Sequence, residues 1–568
     1  MPDPPSQATE KKGERVLVVG LDGATFDLIL PWAKEGYLPN LASLLNQGSQ
    51  GILTSTIPPE TPAAWSSLLT GKNPGKHGVY GFMKIDPKLR RVVPVSSVDR
   101  KSKDVYETIS EQGKRVIVLN VPLTYPPREV NGVIISGFMT PTTASDYANP
   151  ASVLDEIQRN AGVQYCVSYE ENRRKAMLSV ISYKNYEEAL ADDLAETTAI
   201  QGKTLLYFLK RNDWDFLMIV FQGTDQIQHN FWKYTTGSTA QSQKYADKIR
   251  IFYQQIDGII GDVLGNVNDR TDLFVLSDHG FMGFSKFLGL NSFLMNKGYL
   301  KLRRTPLVVL KRIMFSFGLT PLRFFRWLNK LHLGKYRQAL RKEGFRSKIR
   351  GVFLSLQDVD WRRSKAHSMG GWGQIYLNSK ERFPFGTVDS VEGERLVGSI
   401  IEELRGLKEA GTKRLVFSSG KIYRKHEIYT GPHASMAPDI TAIPDYPFKA
   451  FPDYEFGSNK LVVDAVGWSG THSMDGIFVA IGPSIAKGSA PLGARLIDIA
   501  PTVLYLMGLP IPEDIDGRVL TEVIKRNVLE QRSPRLGAAS SRIREETYSY
   551  APADEEELKK TLKGLGYL

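Results

Sequence analysis

The first apolar run of the chain is Arg15-Val-Leu-Val-Val-Gly-Leu-Asp22, which ends in a carboxylate. Its length and its valine and leucine content predict a strand that is buried on both faces of a parallel sheet. Comparable apolar runs follow at residues 115–120, 132–137, 216–221, 271–277 and 476–482. Helical patterns lie between or after these runs, at residues 40–47, 182–211, 240–264 and 496–508. This alternation predicts an α/β fold with a mostly parallel sheet and helices on both faces.

The composition is that of an ordinary globular protein. The 568 residues are 42% hydrophobic and 24% charged, which excludes a disordered chain. The single cysteine, Cys166, excludes an internal disulfide framework and a cysteine-based metal cluster within one chain, and it suits a reducing compartment. Residues 1–15 lack the apolar core of a signal peptide, and no apolar run is long enough to span a bilayer. We therefore expect a cytoplasmic protein.

The alternation of strands and helices divides the chain into regions. It predicts a catalytic core formed by residues 15–290 and 437–526, interrupted by an inserted cap at residues 291–436. The run Ala437-Pro-Asp-Ile-Thr-Ala-Ile443 is predicted to resume the core. Residues 1–14 are predicted to be a disordered leader, and residues 527–568 a charged C-terminal tail at the surface.

The cap begins with a strongly basic amphipathic segment, residues 301–350. It contains fifteen Lys or Arg and one acidic residue, Glu343, so its net charge exceeds the +12 of the whole chain. Its basic residues alternate with apolar ones at helical spacing. Three interpretations remain open: a cap helix with a solvated basic face, peripheral contact with the inner surface of an anionic membrane, and nucleic-acid binding. The last is the least favoured, because no recognition motif accompanies the charge.

A second informative stretch runs from Ser55 to Gly71. Prolines keep residues 58–60 out of a helix, and the pattern then predicts Thr61 as the N-cap, Pro62 as the first helical residue and Gly71 as the stop. The Thr61 hydroxyl would stand where backbone N–H groups and the helix dipole favour an anion. Taken alone, Thr61 could be only a helix cap.

Carboxylates and imidazoles follow several of the predicted strands. Because ligands of open α/β sheets bind beyond the carboxyl ends of the strands, these side chains are expected to converge. A helical segment would place Asp225 and His229 on one face. None of the donors is sulfur, so the set suits two Zn²⁺ ions, or Mn²⁺. Taken singly, each could instead be a helix pair or a cap, and His433 is a reserve candidate. The six predicted ligands are Asp22, Asp225, His229, Asp278, His279 and His472.

The order of these motifs resembles a known family. Asp22 and Thr61 are followed by Asp-x-x-x-His at 225–229, Asp-His-Gly at 278–280 and Gly-x-His-x-x-x-Gly at 470–476. The pattern is similar to that of the alkaline phosphatase superfamily, in its type I phosphodiesterase/nucleotide pyrophosphatase branch. The resemblance implies one metal held by Asp225, His229 and His472. It implies a second metal held by Asp22, Asp278 and His279, with Thr61 as a nucleophile that contacts this metal.

The sequence departs from the family pattern at one place. In the phosphodiesterases an asparagine that helps hold the phosphate usually follows the His-Gly pair by a few residues. Here the pair is His77-Gly78, and Phe82 stands at about the asparagine position. Tyr80 and Lys84 are the polar residues nearby that could replace it.

The resemblance implies a metal-dependent hydrolase that cleaves phosphodiester or pyrophosphate bonds through a covalent phospho-threonine intermediate at a dinuclear site. A phosphomonoesterase, phosphomutase or phosphonate hydrolase of the same superfamily is the alternative. A non-catalytic protein that binds membrane surfaces is a third hypothesis. The expected substrate is a phosphate ester, either a small molecule or linked to a lipid.

Overall fold

The computed structural model describes most of the chain. The described residues are 15–86, 91–167, 186–235, 239–330, 351–383, 386–417, 420–451, 456–465, 469–540 and 548–565. The predicted leader, residues 1–14, and the second part of the basic segment, residues 331–350, lie outside the described residues.

The described strands form one large sheet and several small ones. They are β1 (Arg15–Leu21), β2 (Ser49–Thr54), β3 (Met83–Asp86), β4 (Arg91–Pro94), β5 (Val116–Val121), β6 (Gly132–Ser136), β7 (Ala148–Asn149), β8 (Phe216–Phe221), β9 (Thr271–Leu276), β10 (Gly280–Gly283), β11 (Lys286–Leu288), β12 (Ala366–Ser368), β13 (Gln374–Leu377), β14 (Ile422–Arg424), β15 (Ile440–Ala442), β16 (Phe448–Ala450), β17 (Val462–Asp464), β18 (Gly470–Ser473), β19 (Asp475–Ile481), β20 (Ile511–Pro512) and β21 (Leu536–Gly537).

The large sheet has the strand order β2-β19-β9-β1-β8-β5-β6-β7. Its five central strands, β9 to β6, are parallel, and β1 lies in the middle with Val16 opposite Phe216 on one side and Asp272 on the other. Strand β19 runs antiparallel between β2 and β9, and β7 is antiparallel to β6. The predicted, mostly parallel sheet is confirmed.

Helices cover both faces of this sheet. The described helices are Phe26–Lys34, Pro39–Gln47, Thr61–Thr70, Pro74–His77, Val105–Glu111, Val153–Ala161, Tyr186–Arg211, Gly223–Thr235, Ala240–Tyr245, Lys248–Leu264, Leu290–Asn296, Pro306–Ser316, Pro321–Lys330, Ser390–Arg405, Lys425–Ile428, Ile499–Leu506, Arg526–Gln531 and Pro552–Leu565. The predicted helix over 240–264 is therefore two helices, separated by a turn at residues 246–247.

The side chains of β1 show how the sheet divides two hydrophobic cores. Leu17 and Val19 point into one core, which we call the first core and which holds the helices Tyr186–Arg211 and Lys248–Leu264. Val16 and Val18 point to the other face, into the core that holds the helices Thr61–Thr70 and Ile499–Leu506. Successive residues of a strand face opposite sides, so a continuous apolar run is the pattern that a sheet covered twice requires.

A third hydrophobic core is formed by residues between Leu288 and Phe456, a stretch that contains the predicted cap and that we call the inserted region. The helix Ser390–Arg405 contributes Val397, Ile400 and Leu404 to it. The core also includes residues of the sheet β12-β13-β15-β14. Strand β15 belongs to the run expected to resume the catalytic core, but it pairs with β13 and β14 instead. Apolar content predicts that a short run is buried, but it does not specify which sheet the run joins.

The C-terminal segment lies against the core through a few buried side chains. The Tyr550 hydroxyl donates to the carbonyl of Met139 at 2.8 Å, and Leu562 is fully buried beside the first core. The region predicted as a charged surface tail therefore contains a helix, Pro552–Leu565, that contacts the core along one side. Within the described part of the chain, none of the helices combines the length and the apolar character that crossing a bilayer requires.

A buried ion pair supports the helix that begins at Thr61. Arg100 and Asp104 are both fully buried. The Arg100 guanidinium donates to Asp104 at 2.7 Å and to the Ser66 hydroxyl, on that helix, at 3.3 Å. Removing one member leaves the other as an uncompensated buried charge, which typically costs about 3–5 kcal/mol.

We expect Arg100→Met to lower the midpoint of thermal unfolding by about 3 °C, because it leaves the Asp104 carboxylate buried without its partner. Circular dichroism during heating measures this shift. The double variant Arg100→Met/Asp104→Leu should recover part of the loss. The control is Arg526→Met, which removes a pair between exposed side chains and should leave the midpoint unchanged. Equal shifts for the two single variants would contradict the structural role of the buried pair.

Candidate metal centre

Three adjacent strands bring three carboxylates to one edge of the sheet. Asp22 follows β1 directly, and Asp278 lies two residues beyond the end of β9. Asp225 lies in the first turn of the helix Gly223–Thr235, which starts two residues after β8. All three residues are fully buried. The strand order β9-β1-β8 is the reason that these positions meet, although they are distant in sequence.

One group of donors consists of Asp225, His229 and His472. The His229 Nε2 atom lies 3.4 Å from Asp225 Oδ1, and the His472 Nε2 atom lies 3.3 Å from the same oxygen. The two Nε2 atoms are 2.9 Å apart. His229 faces Asp225 because the two are four residues apart on one helix.

The other group consists of Asp22, Asp278 and His279. The His279 Nε2 atom lies 3.3 Å from Asp278 Oδ2 and 3.6 Å from Asp22 Oδ1. The Thr61 hydroxyl is 3.5 Å from the same nitrogen. The structure therefore brings all seven predicted residues together in the two groups that the resemblance implied.

Carbonyl groups orient two of the imidazole rings. The Nδ1 atom of His472 is 2.7 Å from the Pro59 carbonyl oxygen, and the Nδ1 atom of His279 is 3.1 Å from the Gly280 carbonyl oxygen. A carbonyl can only accept, so each Nδ1 carries the proton and donates it. The Nε2 lone pairs then face the carboxylates, which is the usual arrangement of metal-binding histidines.

The backbone at Gly23 lies between the carboxylates of Asp225 and Asp278. Its N–H donates to Asp278 Oδ1 at 3.2 Å, and its φ of +66° lies in the left-handed region. A Cβ at this position would approach Asp225 Oδ1 to 2.8 Å. Glycine is therefore required for the close approach of Asp22 to the other ligands.

The buried carboxylates differ in the direction of their pKa shifts. Burial, strengthened by the charges of Asp278 and Asp225, raises the pKa of Asp22 well above its usual range. Burial and the charge of Asp225 likewise raise the pKa of Asp278. Burial also acts to raise the pKa of Asp225, but the imidazoles of His229 and His472 outweigh it and hold that pKa well below the usual range. Asp225 is the most stable of the three anions.

The donor set fits divalent cations. Asp22 Oδ1 and Asp278 Oδ2 are buried and accept no hydrogen bond from the described residues. Burial also lowers the pKa of His279 well below its usual value, and it lowers that of His229 although the charge of Asp225 opposes the shift there. Converging carboxylate oxygens and imidazole nitrogens, with no sulfur, suit Zn²⁺ or Mn²⁺.

The helix that carries Thr61 begins one residue earlier than predicted. Thr61 is its first residue, Pro62 its second, and Glu60 is the N-cap, whose carbonyl accepts from the Ala64 N–H at 2.9 Å. The Thr61 hydroxyl therefore does not cap the helix and faces His279 instead. Gly71 ends the helix in the left-handed conformation, as predicted. Trp65, on the same helix, donates its indole N–H to Asp22 Oδ2 at 3.0 Å.

The inserted region adds groups to the centre that the sequence motifs did not reveal. Burial raises the pKa of Glu60 to about 7, although the backbone of Gly371 is among the groups that oppose the shift. The centre of the adjacent Trp372 ring lies 6.0 Å from the centre of the His472 ring. On β16, burial lowers the pKa of Lys449 to about 8, although the charges of Glu60 and Asp225 oppose the shift. No spacing motif marks these residues, because they reach the centre through the tertiary fold of a separate region.

The residues at the expected asparagine position lie in other environments. Phe82 is buried in the first core, with its ring edge-on to Phe138. The Lys84 ammonium pairs with Asp99, and the Tyr80 hydroxyl donates to the His433 carbonyl at 2.8 Å. These contacts engage the polar atoms of Tyr80 and Lys84, the two residues expected to replace the asparagine.

A cavity of about 430 Å³ lies between the core and the inserted region. Tyr80, Tyr376 and His433 are among the residues that line it, but none of the seven predicted site residues does. The cavity therefore does not coincide with the two groups of candidate metal donors.

Comparison with known proteins identifies the family. Residues 16–455 match the family described as type I phosphodiesterase / nucleotide pyrophosphatase. This match covers most of the chain, which therefore belongs to that family and is a phosphohydrolase of the phosphodiesterase/nucleotide pyrophosphatase kind. No curated protein matches the chain.

Solved structures share the fold at low sequence identity. Phosphonoacetate hydrolase from Sinorhizobium meliloti, solved with phosphonoformate, has a TM-score of 0.52 and 14% identity, over 87% of this chain and 95% of that one. Murine ectonucleotide pyrophosphatase/phosphodiesterase 5, solved with AMP, has a TM-score of 0.48 and 13% identity, over 90% of this chain and 100% of that one. The family match confirms the resemblance to the type I phosphodiesterase/nucleotide pyrophosphatase branch, and the phosphonoacetate hydrolase structure shows a similar fold.

The two groups of donors predict separable losses of metal. We expect Asp225→Asn and His472→Ala each to lower the metal content toward one ion per chain, because both residues belong to one group. Asp22→Asn should deplete the other ion. Elemental analysis of the purified proteins measures the content.

The control for these variants is His433→Ala, since His433 lies outside both groups. Its metal content should equal that of the parent protein. Unchanged metal in Asp225→Asn and His472→Ala together would show that this group does not hold an ion.

Proposed function

We propose that the protein hydrolyses phosphodiester or pyrophosphate bonds through a phospho-threonine intermediate formed on Thr61. The observation that carries this proposal is the position of the Thr61 hydroxyl, 3.5 Å from His279 Nε2 in the second group of donors. Thr61 is fully buried at the start of a helix, where the hydroxyl is held in one place. Such pre-positioning is what a covalent nucleophile requires.

The proposed cofactors are two divalent ions, most suitably Zn²⁺. One would be held by Asp225, His229 and His472, and the other by Asp22, Asp278 and His279 beside Thr61. Bound divalent ions neutralise phosphate charge and lower the pKa of nearby oxygen acids. The fit rests on the buried, unsatisfied oxygens of Asp22 and Asp278 and on the orientation of the His279 and His472 rings.

The proposed reaction has two displacement steps. The Thr61 hydroxyl loses its proton to solvent, and a bond forms between Thr61 Oγ1 and phosphorus while the bond from phosphorus to the leaving oxygen breaks. The leaving group takes a proton from solvent. In the second step a water molecule attacks phosphorus and releases a proton to solvent, the bond from phosphorus to Thr61 Oγ1 breaks, and Thr61 Oγ1 takes up a proton. Pro62 has no backbone N–H and that of Ala64 donates to the Glu60 carbonyl, so the N–H groups of Thr61 and Ala63 would serve the phosphate oxygens.

A second candidate function is hydrolysis of a phosphonate or a phosphate monoester at the same centre. The observation that favours it is Phe82, which occupies the expected asparagine position and is buried in the core. The structural neighbour from Sinorhizobium meliloti is named as acting on phosphonoacetate, a small substrate with both a carboxylate and a phosphonate group. The two candidates differ in substrate and share Thr61. The compartment we propose is the cytoplasm, based on the single cysteine in the sequence.

The test is turnover by the metal-loaded protein of a bis-aryl phosphate, a mono-aryl phosphate and phosphonoacetate. We expect the diester to be cleaved fastest, and Thr61→Ala to lower kcat by about three orders of magnitude or more with metal content kept. Thr61→Ser, which retains a hydroxyl, is the matched control and should keep part of the activity.

The intermediate can be tested directly. Acid quenching during turnover of a ³²P-labelled diester should leave label on the parent protein and none on Thr61→Ala. A Thr61→Ala protein with more than about a tenth of the parent kcat would overturn the role of Thr61. Faster cleavage of phosphonoacetate or of the monoester, with the same dependence on Thr61, would favour the second candidate.

Lys449 is the proposed cation that binds the substrate. It lies on β16 of the inserted region, close enough to Glu60 and Asp225 for their charges to act on its pKa. Its ammonium also lies 5.4 Å from the centre of the Phe284 ring. A half-buried cation beside a carboxylate-rich centre is suited to an anionic substrate and could replace the missing asparagine.

We expect Lys449→Met to raise KM for the diester about tenfold or more, with a smaller change in kcat, because it removes a binding contact and no reacting group. Steady-state kinetics measures both constants. Lys460→Met, at an exposed lysine, is the control and should leave both unchanged. An unaltered KM in Lys449→Met would exclude contact with the substrate.

A further inference from the structure

Two consecutive helices of the inserted region present an unusual surface. The helices Pro306–Ser316 and Pro321–Lys330 and the turn between them leave large apolar side chains in solvent. Phe317 is 78% exposed and Trp327 is 56% exposed. The other members of this set are Leu307, Val309, Leu310, Ile313 and Leu319. We refer to these seven residues as the apolar face.

The opposite side of the helix pair is firmly attached to the protein. Val308, Phe315 and Leu322 are buried, and the Phe315 ring lies edge-on to Phe456. The Lys311 ammonium is buried against Asp358, at 3.1 Å from both carboxylate oxygens. The helices therefore already have a packed side, and the apolar face is a second surface that the core does not cover.

The apolar face is surrounded by positive charge. Arg304, Arg312, Arg323 and Arg326 are exposed, and the sequence has no Asp or Glu between residues 279 and 330. Among the described residues of 301–330, the ion pairs found in the structure involve only Lys311. The arginine charges are therefore available to an anionic partner.

We propose that this helix pair docks on an anionic lipid bilayer. The apolar side chains enter the boundary between headgroups and acyl chains, and the arginines bind the lipid phosphates. Charge complementarity selects this occupant, because the helix pair combines large apolar side chains with arginine and contains no Asp or Glu of its own that would repel anionic lipid. Docking requires the helix pair only to lie on the bilayer, and no helix among the described residues is long and apolar enough to cross one.

The docked surface is connected to the metal centre through one small sheet. The Arg326 guanidinium donates to the Asp464 carbonyl on β17 at 2.5 Å. Strand β17 pairs with β11, which pairs with β16, the strand of Lys449. Docking thus holds the inserted region near the lipid surface, which suits a phosphate ester linked to a lipid. This last consequence rests on the proposed function, whereas docking itself does not.

The test is sedimentation of the full chain with vesicles, either of phosphatidylcholine alone or with about a third phosphatidylglycerol. We expect binding to the anionic vesicles, little binding to the neutral ones, and loss of binding as salt rises. Arg304→Gln/Arg312→Gln should weaken binding about tenfold or more, because each basic residue near such a surface contributes about 1 kcal/mol. Phe317→Ser/Trp327→Ser should weaken it by removing inserted apolar area.

Matched controls come from exposed residues elsewhere. Leu492→Ser/Leu536→Ser removes two similarly exposed leucines, and Arg405→Gln/Arg526→Gln removes two exposed arginines. Both should bind vesicles like the parent protein. All variants should keep the parent kcat for a small soluble diester, which separates a failure of docking from a failure of the proposed function.

Two results would overturn the proposal. One is absence of salt-sensitive binding of the parent protein to anionic vesicles. The other is a dimer in analytical ultracentrifugation that Phe317→Ser/Trp327→Ser dissociates, together with vesicle binding that the same variant leaves unchanged. That outcome would assign the apolar face to a second copy of the chain.

Discussion

Three carboxylates, Asp22, Asp225 and Asp278, are fully buried at one edge of the sheet. Their mutual repulsion must be offset by the groups around them. In a medium of low polarity, anions at this separation are stable only if protons, imidazoles or metal ions neutralise them. The surroundings are arranged accordingly. Two imidazoles face Asp225, a backbone N–H reaches Asp278, and an indole N–H reaches Asp22. Two carboxylate oxygens still lack a hydrogen bond among the described residues, and these are the positions where a divalent ion fits best.

The convergence of the six candidate donors could be predicted from the sequence because they lie at or near the ends of strands. An apolar run followed by a carboxylate, as at Asp22, specifies both the strand and the edge at which its last residue emerges. The faces of the sheet were equally predictable, because β1 is apolar at every position from Val16 to Leu21 except Gly20. The Thr61 hydroxyl lies beside His279 in the second group of donors, but the prediction that Thr61 caps the helix is wrong. The hydroxyl of a threonine beside a proline has the same sequence signature whether it caps a helix or faces a neighbouring side chain.

The contributions of the inserted region could not be predicted in this way. Trp372 and Lys449 lie near the centre because the inserted region packs against the large sheet there. The hydrophobic periodicity of a single strand or helix does not predict such packing between regions. Strand β15 illustrates the same limit. Its apolar residues predict burial, but β13 and β14 rather than the large sheet supply the hydrogen-bonding partners. Short strands carry too few residues for their alternation to specify a neighbour.

The position of β19 in the large sheet has a consequence for how the chain acquires its structure during synthesis. Among the described strands of that sheet, β2 hydrogen-bonds only to β19, which lies more than 400 residues later in the chain. The ribosome therefore releases β2 long before its neighbour exists, and one edge of β9 also stays unpaired from its own synthesis until β19 follows. His472 lies just ahead of β19, so the last of the ligands arrives together with the strand that closes this edge. The nascent chain must protect an open sheet edge until then, and the metal centre becomes complete only when that edge is sealed.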